Sequence, residues 1–261
     1  MTTKPLKFEE ACSKYAGVGV KGISIWRDAV QGISAAKVKN CLKENGLTAV
    51  SYVRGGFFPS TDQAKRKAAI EDNLTMLQEA SEMEIPLLVI VCGADPGQPL
   101  QTSREQIRNS IGEILGEAAK LGVRLAIEPL HPMYADTRSA ITSLKQANDM
   151  AEYFNDETLG IAVDVYHLWF DDGLEEQINR CGRHNNLYAF HICDWKVPTT
   201  DMLTDRGLMG EGCIPVKQIR GWMEEAGFSG FNEVEIFSER HWALDQDRFL
   251  ADIVDAYRNH S

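Results

Sequence analysis

Short apolar runs alternate with amphipathic stretches along almost the whole chain. The apolar runs are "GISIW" (22–26), "LTAVSYV" (47–53), "PLLVIVC" (86–92), "VRLAIE" (123–128), "LGIAVD" (159–164), "LYAFHIC" (187–193) and "FNEVEIF" (231–237). Their length and their β-branched and aromatic content predict strands. Most are apolar at successive positions, as strands covered on both faces are. Helical periodicity fills the intervals: Ser34 to Asn45, Asp62 to Met83, Ser103 to Leu121, Ser139 to Phe154, Leu174 to Arg183, Val216 to Ala226 and Asp245 to Tyr257. Gly46 and Gly122 stand where helices end, and Ser103 with Gln106 has capping-box spacing.

Strand–helix alternation predicts a parallel α/β sheet, either doubly wound or closed as an eight-stranded barrel. Seven strands are evident, and Phe8 to Ala16 reads as a helix ahead of the first. A strand should precede that helix, but Met1 to Lys7 is a poor one. The expected fold is therefore an α/β (β/α)8 TIM barrel, one domain over residues 1–261, with its first strand short or missing. "GVGVKG" matches G-x-G-x-x-G, but it follows a helix and leads into a strand. That is the reverse of a dinucleotide site, so its glycines predict a turn.

The polar residues favour the barrel. Side chains i and i+2 share a strand face. Three strands end in a matching triplet: Ala126-Ile127-Glu128, Ala162-Val163-Asp164 and Ala189-Phe190-His191. In each, a small residue points into the barrel, a large one packs under the helices, and a metal-capable group reaches the C-terminal mouth. The last strand adds Glu235, with Glu233 in place of the alanine. Glu128, Asp164, His191 and Glu235 thus form a candidate ligand set in register on consecutive strands. Three carboxylates and an imidazole suit one divalent ion: Mn²⁺, Mg²⁺ or Co²⁺, with Zn²⁺ as a further option.

The chain is similar to the xylose isomerase-like TIM barrels, most closely in "AIEPLHP", "AVDVYHLWFD", "AFHICDW", "GEGCIP" and "EVEIF". The resemblance runs from Phe8 onward and implies that Glu128, Asp164, His191 and Glu235 bind one divalent metal. It also implies that His167, in D-x-x-H, contacts substrate. The implied activity is isomerisation or epimerisation of a sugar or sugar phosphate. A proton beside a carbonyl is removed through a metal-stabilised enediolate, with Glu128 and Glu235 as the proton-transfer groups. Dehydration, as in inosose dehydratases, uses the same first step.

Arg54, His131, Trp169 and Trp195 lie at or beyond strand ends and are further candidates for substrate contact; Trp26, Phe57 and Asp194 are similarly placed. "RGLMGEG" (206–212) reads as a glycine-rich loop over the substrate, not a P-loop, because no G-K-[ST] follows. Glu233 would need a partner such as Arg124.

Composition narrows the class. A net charge of −11 opposes nucleic-acid binding, and no apolar run approaches the roughly 18 residues of a membrane span. Six cysteines without a C-x-x-C pair read as reduced thiols. The expected protein is cytoplasmic, takes a small carbohydrate, binds neither nucleic acid nor membrane, and can form a homo-oligomer. Two rivals remain at this level: a glycoside hydrolase using Glu128 and Glu235, and a non-catalytic sugar-binding barrel.

Overall fold

The computed structural model covers residues 1–261. Helix α1 (Phe8–Gly17) leads into β1 (Gly22–Trp26), α2 (Ala35–Glu44), β2 (Thr48–Gly56), α3 (Gln63–Glu82) and β3 (Leu87–Val91). The chain continues through α4 (Leu100–Leu121), β4 (Arg124–Glu128), α5 (Leu144–Phe154), β5 (Leu159–Asp164), the short α6 (Val165–Leu168), α7 (Leu174–Arg183) and β6 (Leu187–Ile192). An antiparallel excursion, β7 (Asp194–Trp195) with β8 (Arg206–Gly207), precedes α8 (Val216–Glu225), β9 (Asn232–Val234), α9 (Glu239–Trp242) and α10 (Gln246–His260). The seven parallel strands follow one another as β1-β2-β3-β4-β5-β6-β9. This is a nearly closed barrel with its helices outside.

The predicted division between inward and outward faces holds. Ala126, Ala162 and Ala189 pack with Val53, Leu87 and Val89 in a small interior cluster. Ile127, Val163 and Phe190 belong instead to the large core beneath the helices. Small residues on the inner face leave room for polar groups above them. The five residues of β3 are all buried, which explains their unbroken apolar run.

Closure between β9 and β1 uses side chains rather than a backbone ladder. Ser24 of β1 donates a hydrogen bond to Glu233 of β9, and Trp26 meets Phe237 edge-on at 5.5 Å. Residues Met1–Lys7 contain turns and no strand, as their composition suggested. Thr2 serves the free edge of β9 with its hydroxyl, which donates to the Val234 carbonyl at 2.9 Å and accepts from the Ile236 N–H at 3.0 Å.

Three expectations need correction. The capping box at Ser103 does not form, because α4 begins at Leu100 behind Pro99. Ser103 lies buried in its first turn, and Gln106 instead bonds to Gln98 and to the Ser60 N–H. The helix expected from Ser139 starts at Leu144, where the Ser143 hydroxyl accepts from the Gln146 N–H. The candidate ligand positions also do not share one row. Asp164 is level with His191, but His191 is level with Glu233, and Ile127 with Ile161. The set therefore steps by two residues from β4 to β5 and again from β6 to β9. Strands in a barrel tilt and stagger, so neighbouring side chains converge on the axis from different rows.

Candidate metal centre and its surroundings

Glu128 and Asp164 are the last residues of β4 and β5, and His191 lies one residue inside the end of β6. Glu235 follows β9, where its N–H still donates to the Ile192 carbonyl at 3.0 Å. One donor atom from each of the four lies within 4.8 Å of the others. The site is largely buried: side-chain exposure is 7% for Glu128, 0% for Asp164, 4% for His191 and 15% for Glu235.

One buried cation already sits here. Arg206 Nη1 donates to Asp164 Oδ2 at 3.1 Å and to Glu235 Oε2 at 2.8 Å. Its guanidinium is held between the Tyr166 ring at 4.3 Å and the Phe237 ring at 4.8 Å. Asp164 also accepts the Tyr166 N–H at 2.7 Å. Three carboxylates against one guanidinium leave buried negative charge in excess, which is costly in a dry interior. Burial pushes the Asp164 carboxyl up to about 7, against the pull of Arg206. For Glu235 burial also pushes upward, but Arg206 and then His191 prevail and hold it below the usual range. Burial works against a charged His191, yet the Glu233 and Glu128 carboxylates raise it well above the ordinary imidazole value. An excess of buried anionic oxygen beside an imidazole fits a divalent cation, in number, type and charge of donors.

The sequence model of the xylose isomerase-like TIM barrel family matches residues 12–255. The chain belongs to this family. An inosose isomerase from Halalkalibacterium halodurans is 23% identical over 225 residues, covering 82% of this chain and 75% of its own length. Protein SMc04130 from Sinorhizobium meliloti 1021 superposes with a TM-score of 0.95 at 42% identity, covering 99% of this chain and 95% of that one. The IolI protein, solved with a bound zinc atom, gives a TM-score of 0.82 at 17% identity, over 98% and 94% of the two chains. D-psicose 3-epimerase from Clostridium cellulolyticum H10 gives 0.78 at 18% identity, over 97% and 93%.

Within this xylose isomerase-like barrel the other candidates fall into distinct places. His167 is buried, with Nε2 3.3 Å from Arg206 Nη2 and 3.6 Å from Asp164 Oδ2. Burial, then the charge of Arg206, holds it well below the ordinary histidine range. A neutral His167 accepting from Arg206 at Nε2 carries its proton on Nδ1, a buried atom without a protein partner. His131 is further out. Its Nδ1 accepts the Met133 N–H at 3.1 Å, and its ring packs against Phe170 at 4.6 Å and Trp195 at 5.4 Å. Trp195 stacks on Tyr166 at 4.7 Å and meets Trp169 at 5.9 Å. His131, Trp169 and Trp195 thus belong to one aromatic wall beside the centre. Arg54 is not part of that wall; it lies over the rings of Trp26 and Phe57, and Trp26 meets Phe237.

Asp194 faces the backbone. Its carboxylate accepts the N–H groups of Trp195, Gly210, Gly212 and Ile214 at 2.8–2.9 Å. That clamp shapes the loop 206–212. A Cβ on Gly212 would sit 2.0 Å from the Trp195 carbonyl oxygen, so this crossing tolerates only glycine. The loop in turn carries Arg206 into the ligand cluster. Arg206 is the chief residue missed by sequence reasoning: it comes from a hairpin outside the barrel strands, where strand periodicity has no bearing. The one signal was an arginine opening a glycine-rich stretch.

Glu233 also has a partner other than the one expected. Arg124 lies over the Tyr188 ring at 4.4 Å. Glu233 accepts hydrogen bonds from Ser24 and from Ser51 (3.1 Å), and its Oε2 lies 3.7 Å from His191 Nε2. With Nε2 facing this carboxylate, Nδ1 is left on the side of Glu128, at 2.9 Å. Outer carboxylates that orient a ligating histidine are typically worth about 10–100-fold in metal affinity. Glu233→Leu is therefore expected to weaken Mn²⁺ binding by roughly that factor, read by calorimetric titration of the chelator-stripped protein. Unchanged affinity would remove Glu233 from the site.

Proposed function

We propose that this protein is a divalent-metal-dependent isomerase or epimerase of a small carbohydrate, working by proton transfer at the carbon next to a carbonyl. The observation that carries the reading is the convergence of Glu128, Asp164, His191 and Glu235 within 4.8 Å at the barrel mouth. The relatives named inosose isomerase and D-psicose 3-epimerase support the reaction class.

Glu128, Asp164, His191 and Glu235 would hold the ion, which would stabilise negative charge developing on the substrate's carbonyl and hydroxyl oxygens. The remaining work falls to the chain. Glu235, kept ionised by Arg206, is the group suited to accept the C–H proton. Glu128, held against His191, is placed to deliver a proton from the other end of the cluster. His167 offers Nδ1–H to a substrate oxygen, while the wall of His131, Trp169 and Trp195 stacks on the sugar and keeps water out. Return of the proton to the opposite face gives an epimer, and return to the neighbouring carbon gives an aldose–ketose pair. A leaving hydroxyl on the next carbon would turn the same first step into dehydration.

The test is hydrogen exchange in deuterated water with a panel of ketoses, inososes and their phosphates. Deuterium should enter next to the carbonyl of at least one sugar, stop after exhaustive chelation and resume when Mn²⁺, Mg²⁺, Co²⁺ or Zn²⁺ is restored. Full exchange after chelation would disprove the metal requirement. Absence of exchange across the panel with each metal would count against proton abstraction.

A further inference from the structure

Arg54 and Arg138 stand out among the charged groups around the mouth. Arg206, within the ligand cluster, donates to Asp164 and Glu235. No carboxylate lies within ion-pair distance of Arg54 or Arg138, and each guanidinium is seated on aromatic rings. Arg54 lies over Phe57 at 4.9 Å and Trp26 at 5.5 Å, and Arg138 lies over Tyr134 at 5.6 Å. Two guanidinium groups without a direct ion-pair partner are unexpected in a chain of net charge −11.

Both seats adjoin the ligand cluster. Trp26 meets Phe237 at 5.5 Å, and Phe237 lies under Arg206. On the other side, Tyr134 is 5.8 Å from His167, whose Nε2 faces Arg206. The Tyr134 hydroxyl donates to the Met202 carbonyl at 2.6 Å, so the ring that carries Arg138 is fixed. The two supporting loops meet at Gly93. Its N–H donates to the Arg138 carbonyl at 2.8 Å, and a Cβ there would lie 2.6 Å from the Phe57 Cα. Burial, followed by the charge of Arg138, pulls Arg54 below the usual arginine value, with Glu128, Asp28 and Glu235 opposing.

We propose that Arg54 and Arg138 form a subsite for an anionic group, a carboxylate or a phosphate, carried by the carbohydrate whose carbonyl end reaches Glu128 and Glu235. The inference rests on the carbohydrate reading above and narrows it to charged sugars. A guanidinium lying on a ring keeps its N–H edge free, and that edge matches the paired oxygens of carboxylate and phosphate. Binding the anion also removes the repulsion between the two arginines.

The experiment is calorimetric titration of the full-length, Mn²⁺-loaded protein at low salt with glucose, glucuronate, glucose 6-phosphate and inorganic phosphate. Glucuronate or glucose 6-phosphate should bind at least about tenfold tighter than glucose, and the better of the two identifies the anion. Arg54→Gln and Arg138→Gln should each reduce that preference by about tenfold, or weaken inorganic phosphate to the same extent if no sugar in the set fits. Arg138 lies on a loop, so its variant remains informative should Arg54→Gln fold poorly. Equal affinity for glucose and both charged sugars overturns the proposal, as does a preference that both variants retain or no saturable anion binding at all. Deuterium exchange separates the two readings. Exchange without charge preference removes only the subsite, and arginine-dependent anion binding without exchange removes only the reaction.

Discussion

Glu235→Gln is expected to lower turnover by about 10³-fold, within the roughly 10²–10⁴-fold that a positioned general base supplies. Glutamine has almost the same shape, so the Arg206 pocket between Tyr166 and Phe237 should stay filled. What disappears is the negative charge that Arg206 holds there, 2.8 Å away. An amide cannot take a proton from carbon at neutral pH and is a poorer donor to a divalent ion. Stability should change little. The backbone N–H of Glu235 still bonds to Ile192, and the site loses one of three carboxylates that repel one another. The measurements are the deuterium-exchange rate at saturating metal and a thermal melt. Turnover within tenfold of wild type would take Glu235 out of the proton-transfer role. A large fall in melting temperature would make it a structural group.

Arg206→Met should have the largest effect on stability. Methionine fills much of the same aromatic slot but leaves Asp164 and Glu235 without their shared cation. Removing one partner from a buried charge network costs about 3–5 kcal/mol, because the remaining charge has no water to turn to. The loss should depend on pH. Asp164 already titrates near 7 in the folded protein, because burial disfavours its ionised form, and without Arg206 it would rise further. A carboxyl whose folded value exceeds its unfolded value of about 3.9 takes up a proton on folding. That contribution is present at low pH and disappears as pH rises through the folded value. Denaturant titrations of chelator-stripped Arg206→Met should therefore show a smaller deficit at pH 6 than at pH 9. Added Mn²⁺ should restore part of the loss at the higher pH. A deficit independent of both pH and metal would mean that Arg206 acts through packing alone.

Much of the site could be read along the strands. Strand side chains repeat every two residues, so Ala126 with Glu128 and Ala162 with Asp164 mark an inner face with polar ends in the sequence itself. The same rule placed Ala189 below His191, and these inferences hold. Local periodicity misled where distance along the chain mattered. Ser103 and Gln106 have the spacing of a cap, but Gln106 is drawn to Gln98 and Ser60, forty-six residues away in the second case. For Glu233 the chain shows only that an inward carboxylate needs a partner such as Arg124, whereas its actual partners Ser24, Ser51 and His191 come from three other strands.

Short-range physics thus settled the alternation of strands and helices, the side of each strand that faces inward, and the strand-end places of the four candidate ligands. Those properties depend on a two-residue or 3.6-residue repeat and on the cost of burying charge, both readable from neighbours in the chain. Closure of the β9–β1 gap by Ser24, Trp26 and Thr2 depended on folding in three dimensions. So did the stagger that brings different rows to one point and the arrival of Arg206 from an outlying hairpin. Each joins segments far apart in sequence through strand tilt and side-chain packing, for which no local repeat exists.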